Sequence, residues 1–261
     1  MNADLYLLVG EGELHWGFSV RSRGATARQK ALIAPPPTSL VGALLFPLAR
    51  LMGWGELPSS PVRNAVIGAY ASLSPLIEFE DLMRSLALPY LQRRYRSWKM
   101  RDYWFSVFPL GRAYGPAAKL RLAYLISGEL LEKYLGSDWK DLIRASLASI
   151  TRIGSKESIV SMNPRTEIGK ARLTLKGRGK TYFYAPLKAL RSFSPRSVWI
   201  EEFWNNNGLR EEYVLNIDGL RPVQVSFKLS GDGFMAEMGD YTVVGMRSWL
   251  NDTTDKVATK R

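Results

Sequence analysis

Ala34 to Arg50 reads APPPTSLVGALLFPLAR, and the rest of the chain is organised around this stretch. Pro35, Pro36 and Pro37 hold the backbone extended and forbid helix up to that point. Thr38 or Ser39 can then cap a short, almost wholly apolar helix that carries Leu40, Val41, Leu44, Leu45 and Leu48. A helix so apolar must be buried. Gly42 lets another backbone come close, and Pro47 removes a helical N–H, so the helix is expected to kink or end there. Free N–H groups at its start suit an anion such as a phosphate, and Arg28 and Lys30 lie just upstream. On these residues alone two readings stand: a core helix with a stiff lead-in, and a phosphate seat.

The 261 residues suffice for one large domain or two small ones. Hydrophobic residues at 46% and charged residues at 23% describe a globular chain, not a disordered one. The longest apolar run, around Leu40 to Ala49, contains Gly42 and Pro47 and is too short to span a bilayer. MNADLYLLVG at the start carries Asp4 and no basic residue, which is not a secretory signal, so a cytoplasmic protein without membrane contact is expected. With no cysteine and His15 as the single histidine, thiolate and multi-histidine metal sites have no material, and no cofactor is expected. Absence of cysteine beside abundant Arg and Lys also fits a thermophile.

A net charge of +12 points to a polyanionic partner, and its distribution sharpens the point. Arg21 to Lys30 holds four basic and no acidic residues, Arg84 to Leu122 nine and one, Ile150 to Lys180 eight and two. Blocks this one-sided favour nucleic acid over mere solubility.

In chain order, Leu5, Leu7 and Val9 alternate on odd positions, then Leu14, Trp16, Phe18 and Val20 on even ones. Gly10 and Gly12 lie between, so the phase shift marks either a bulge in one strand or a turn between two. His15 lies opposite the apolar side and reads as a surface or hydrogen-bonded histidine. Ala65 to Leu73 is a further strand, ended near Pro75. From Ile77 to Pro116 no single period holds. Within it QRRYRSWKMRDYW interleaves Arg93, Arg94, Arg96, Lys99 and Arg101 with Tyr95, Trp98, Tyr103 and Trp104. Cations for phosphates and flat rings for bases belong together, since one stacked base is worth about 1–3 kcal/mol. The alternative is a hairpin whose aromatics pack on the domain while its arginines point outward.

Ala117 to Ile126 alternates as a strand, and Trp139, Leu142, Ile143, Ser146, Leu147 and Ile150 mark an amphipathic helix starting near Ser137. TRIGSKESIVSM leaves that helix through Gly154 and enters a strand at about Ser158. The first 165 residues thus read β, α, β, insertion, β, α, β, the order of an α+β ferredoxin-like or RRM-like fold. The remainder is β-rich and expected to pack on the first unit. Ala171–Leu175 and Lys180–Tyr184 flank a Lys176-Gly177-Arg178-Gly179 hairpin signal, Asn205 to Gly208 is a turn, and Val223, Val225, Phe227 and Leu229 alternate. Gly231 to Gly233 is another turn, Tyr241 to Met246 a strand, and 251–261 a polar tail that frays.

Familiar catalytic signatures fail. Gly179-Lys180-Thr181 ends like a phosphate-binding loop, but Thr174 stands where its first glycine belongs and a strand follows. Gly10-Glu11-Gly12 begins a dinucleotide pattern whose third glycine is replaced by His15. Glu201-Glu202 and Glu211-Glu212 read as solvated charge before they read as magnesium ligands.

PPPTSLVGAL (Pro35 to Leu44), WGFSVR (Trp16 to Arg21) and RIGSKES (Arg152 to Ser158), in this order, resemble the RAMP-type CRISPR-associated subunit of Cascade that caps the crRNA 5′ handle. This is the Cas-five family, in its archaeal type I-A branch, and the resemblance covers roughly residues 4 to 165. It implies an RRM-like RAMP domain over 1–165 with a thumb-like insertion at about 77–116, followed by a β-rich part over 166–250. The partners it implies are the crRNA handle, the Cascade backbone subunit and the Cascade large subunit, with target DNA met indirectly. By position it brings the Gly154, Ser155, Lys156 turn and the Pro35 to Ser39 lead-in near the handle, and sets Arg93 to Trp104 in the thumb. The expected RNA-binding residues are Arg21, Arg23, Lys30, Thr38, Ser39, Arg93, Arg94, Tyr95, Arg96, Trp98, Lys99, Arg101, Arg152, Gly154, Ser155 and Lys156. One branch of the family cuts precursor RNA without metal through Tyr, Lys and His. Here the histidine lies in the first strand, so a non-catalytic subunit is expected. The alternatives are a metal-independent endoribonuclease using Lys156 or Tyr95, and a scaffold that touches only protein.

Overall fold

Leu5, Leu7 and Val9 alternate with Tyr6, Leu8 and Gly10, yet all six residues are buried, because the first strand is covered on both faces. In the computed structural model, which describes residues 4–20, 31–54, 61–74, 77–86, 105–114, 118–155, 158–205, 209–219 and 221–251, this strand is β1 (Leu5–Leu14). Helix α1 (Pro37–Leu51) follows, then a 3-10 turn over Pro61–Ala65 and strand β3 (Val66–Leu73). The short strand β2 (Gly17–Phe18) precedes α1. Strands β4 (Ile77–Leu86), β5 (Phe105–Tyr114) and β6 (Ala118–Ser127) come next, then α2 (Gly128–Leu135), α3 (Trp139–Ala148) and β7 (Val160–Lys170).

The central sheet runs β3-β6-β1-β7 with every neighbouring pair antiparallel. Its two faces are assigned by contacts. Tyr124, the cross-strand partner of Leu8, donates its hydroxyl to the Leu40 carbonyl of α1 at 3.0 Å, and Tyr6 meets Trp139 of α3 edge-on at 5.1 Å. Gly10 lies on that same face, where a Cβ would stand 2.8 Å from Leu147 Cδ2, so glycine lets α3 settle on the sheet. On the opposite face Tyr70 meets Tyr184 of the C-terminal part, ring centroids 6.4 Å apart.

Several expectations need correction. The phase shift at Gly10 and Gly12 is a bulge, but it lies in the partner strand: Gly10 pairs with Thr166 and Gly12 with Met162, while pairing to β6 is unbroken from Leu5 to Leu14. Trp16 does not share the apolar side with Leu14 and Phe18; it is 64% exposed, because β1 ends at Leu14 and β2 begins at Gly17. Neither Thr38 nor Ser39 caps α1. The N-cap is Pro36 in extended conformation, and Pro37, with its fixed φ and missing N–H, is already suited to the first turn. The helix also passes through Pro47 to Leu51. Helix α2 was not anticipated; Ser127 caps it, accepting from the Leu130 N–H at 3.4 Å. Helix α3 starts after Asp138, where the periodicity puts it.

The stretch without a single period contains the arms of a hairpin. β4 and β5 pair from Ile77↔Tyr114 to Leu86↔Phe105, and β2 joins β5 through Gly17↔Tyr114. The basic-aromatic segment with Arg93, Arg94, Tyr95, Arg96, Trp98, Lys99 and Arg101 lies outside the described residues, as do Arg21, Arg23, Lys30, Lys156 and the tail from 252 onward.

Residues after β7 form β8 (Arg172–Thr174), β9 (Arg178–Thr181), β10 (Ala185–Pro186), β11 (Leu190–Ser194), β12 (Ile200–Trp204) and β13 (Arg210–Val214). The last strands are β14 (Ile217–Asp218), β15 (Arg221–Pro222), β16 (Val225–Leu229), β17 (Gly233–Met238) and β18 (Tyr241–Met246). The expected hairpin around Gly177 is not formed: β8 pairs with β17 and β9 with β16, so the chain crosses between two sheets there. β12 and β13 do form a hairpin across Asn205 to Gly208. Strand β17 and a helical turn at 247–251, which buries Trp249, were not anticipated. Tyr184, Phe203 and Tyr213 pack ring to ring at 5.3–5.4 Å in the same core cluster as β1 and α1. Among the described residues no helix is long and apolar enough to cross a membrane.

Candidate nucleic-acid interface

The proline lead-in is held from several sides. Its N–H-free residues leave carbonyls to satisfy, and the buried Tyr184 hydroxyl reaches the carbonyls of Pro35 and Ala69, each at 3.3 Å. The Leu32 N–H donates to the Val20 carbonyl at 2.8 Å and the Ile33 N–H to Glu201 Oε2 at 3.2 Å. On α1 itself, Ser146 of α3 donates its hydroxyl to the Leu44 carbonyl. Leu40, Leu44 and Leu48 are fully buried, which leaves Gly42, Phe46 and Arg50, at four-residue spacing, as the exposed stripe of the helix.

Opposite that stripe stands the turn between α3 and β7. Arg152 bridges to Ile159, the Val160 N–H donates to the Thr151 carbonyl at 2.9 Å, and the Ile153 N–H to the Ser158 carbonyl at 3.1 Å. Ser158 anchors the turn: its hydroxyl contacts Ser155 Oγ at 2.9 Å and accepts from the Ser19 N–H at 3.3 Å. Gly154 has φ of 79° and lies against Val20. The side chain of Ile153 is fully buried, so the turn is pinned while Arg152 remains exposed.

Between helix and turn is a cleft of about 290 Å³ lined by Ser39, Gly42, Ala43, Phe46, Pro47, Thr151, Arg152 and Gly154. The guanidinium groups of Arg50 and Arg152 both lie over the Phe46 ring, each 5.4 Å from its centroid, and Phe46 is 46% exposed. No carboxylate lines the cleft, and neither arginine has an ion-pair partner among the described residues. Cations beside an open aromatic ring suit a phosphodiester and a base.

Of the expected site residues, Ser39, Arg152 and Gly154 converge on this cleft. Thr38 is half-buried in the first turn of α1, and Ser155 is tied to Ser158; neither lines it. The helix start offers fewer donors than expected, since Pro37 has no N–H and those of Ser39 and Leu40 already donate to the Pro36 carbonyl. Gly42, Phe46 and Arg50 were missed. Their i, i+4, i+8 spacing in an otherwise apolar helix is the signal that marks them. His15 is exposed and hydrogen-bonded to Ser161 Oγ at 2.7 Å, as its reading expects. Arg210 pairs with Glu202 at 3.1 Å.

No family model matches the chain. In fold it is similar to the crystal structure of a CRISPR protein from Archaeoglobus fulgidus, with a TM-score of 0.61 and 17% identity over 92% of this chain and 99% of that one. That likeness defines the class, a strand-rich α/β fold found in a CRISPR protein. Two Saccharolobus solfataricus proteins narrow it. The CRISPR system aCascade subunit Cas5 1 is 35% identical over 206 residues, and the CRISPR-associated protein Cas5 3 is 32% identical over 203 residues. Each match covers 75% of this chain and 78% of the relative. The chain belongs to the Cas5 family of CRISPR-associated proteins.

Proposed function

We propose that this chain is a non-catalytic, crRNA-binding subunit of a Cascade-type complex, seating the crRNA 5′ handle at the α1 cleft. The observation that carries this reading is Phe46 with Arg50 and Arg152 over its ring, in a cleft that no carboxylate lines among the described residues. The family and the archaeal aCascade relative support it. In this reading the backbone subunit and the large subunit are its protein partners, and target DNA is met through the complex.

A ferredoxin-like, RRM-like RAMP reading of the fold rests on the central sheet. Counted in chain order, β1, β3, β6 and β7 are its first to fourth strands, and across the sheet they lie in the order second, third, first, fourth, with α1 and the α2–α3 pair as the two crossovers. Residues 1–165 then form the RAMP unit, which β7 completes by running on to Lys170, and 166–250 the β-rich part. In this reading the β4–β5 arms are the base of the thumb, and Arg21, Arg23, Lys30, Arg93 to Trp104 and Lys156, which lie outside the described residues, are proposed as further RNA contacts.

The test is handle-RNA binding by Phe46→Ala and Arg152→Ala, alone and assembled with the backbone subunit, across a salt series. Phe46→Ala weakens binding by about 1–3 kcal/mol with an unchanged salt slope, as loss of one stacked base does. Arg152→Ala lowers the slope by about 0.7, as loss of one phosphate contact does. Unchanged affinity and slope in both variants overturn the assignment. Incubation with repeat RNA in chelator is expected to leave the RNA intact; a discrete cut at the handle boundary overturns the non-catalytic part.

A further inference from the structure

A different cationic surface lies on the C-terminal sheet ordered β11-β16-β9. Val225, Phe227 and Leu229 are buried along β16, so Ser226 and Lys228 point the other way. Cross-strand pairing places Arg178 directly opposite Lys228 and Lys180 opposite Ser226. On the other side Ser192 stands opposite Lys228 and Ser194 opposite Ser226. A cleft of about 510 Å³ over these strands is lined by all six of these residues and, among the described residues, by no carboxylate. Arg196 adds a further cation, 4.9 Å over the ring of Phe193 at the cleft wall.

Like charges directly opposite on a sheet are destabilising, and here nothing relieves them: Arg178, Lys180 and Lys228 have no ion-pair partner among the described residues. We propose that this face binds the sugar–phosphate backbone of a nucleic acid, separately from the α1 cleft. Cations interleaved with serine hydroxyls are the donor set that phosphate oxygens receive in nucleic-acid complexes. Arg178 and Lys180 repeat at two residues, about 7 Å along the strand, and a regular row of charge matches a regular polyanion better than an acidic protein segment. The exposed groups of this face are cations and serine hydroxyls, and Phe193 is half-buried, so the contact is to phosphates and is independent of base sequence.

The experiment uses the full chain carrying Arg178→Ala, Lys180→Ala and Lys228→Ala, with labelled single-stranded RNA of unrelated sequence and with short duplex DNA, across a salt series. Loss of three phosphate contacts lowers the log–log salt slope by about 2 on the single strand or about 3 on the duplex. The probe that shows the drop identifies the strand type bound. An unchanged slope on both probes overturns the proposal. So does a variant that keeps nucleic-acid binding and loses retention on polyglutamate, which assigns the face to an acidic protein. The melting temperature is expected to be unchanged or raised, because the like-charged pair is gone. Should the triple variant not fold, Lys228→Ser alone lowers the slope by about 0.7–0.9, and no drop there counts against the proposal equally. Arg152→Ala acts at the α1 cleft, so either surface can fail while the other stands.

Discussion

At Gly154 the backbone φ is 79°, a left-handed conformation that costs a residue with a side chain about 1–2 kcal/mol. An added Cβ would also stand 3.1 Å from Val20 Cγ2. Gly154→Ala is therefore expected to destabilise the fold by about 1–2 kcal/mol in chemical denaturation and to loosen the turn that carries Arg152. A midpoint equal to the parent's would show that the turn does not need this conformation. Phe46 is the reverse case. It contributes little to the free protein, since an exposed cation–π contact is worth about 0.5–1 kcal/mol, so a large loss of RNA affinity on truncation separates binding from stability.

Helix α1 shows how magnitudes decide an element. An interior proline costs about 3 kcal/mol, which on local grounds predicts an end at Pro47. Past the proline, Leu48 and Ala49 are buried, and burying Leu48 alone contributes about 1.5–3 kcal/mol, enough to offset most of that cost. The helix continues, and its continuation carries Arg50 over Phe46. Among the described residues the β4–β5 arms pair with each other and, through β5, with β2. Excising residues 80–111 and closing Phe79 to Arg112, which stand opposite each other, with an Asn-Gly turn is expected to leave the melting temperature within a few degrees of the parent. The same deletion is expected to weaken handle binding. Global unfolding of the deleted chain would make the hairpin part of the core.

Across the whole molecule the two faces of the central sheet are joined by buried tyrosines. Burial raises the hydroxyl pKa of Tyr70, Tyr124, Tyr184 and Tyr213, with Glu211 adding to the effect at Tyr70 and Tyr213. A pKa raised in the folded state makes a contribution that is complete below the unfolded value of about 10 and is lost as pH rises beyond it. Each tyrosine takes up to about 1.4 kcal/mol of stability per pH unit. The chain is expected to unfold cooperatively between about pH 10 and 12, with tyrosinate absorbance rising together with loss of circular dichroism. Tyrosinate signal at full occupancy in a folded chain would contradict this packing.

The four strands of the central sheet with α1 and α3 between them, the start of α3 and the concentration of positive charge were legible in the sequence, because periodicity and charge blocks are local properties, whereas α2 was not. So were the motifs that mark the family. Tertiary structure alone decided that β8 pairs with β17 and not with β9, that Trp16 is exposed, and that Tyr6 and Leu8 are buried along with Leu7. It also decided that Phe46 meets Arg152, a residue from the far side of the sheet sequence. Local pattern states which residues seek burial or water. Which strand supplies the cover, and which side of an apolar helix stays open, depends on burial summed over residues distant in the chain, and that sum exists only once the sheet is assembled.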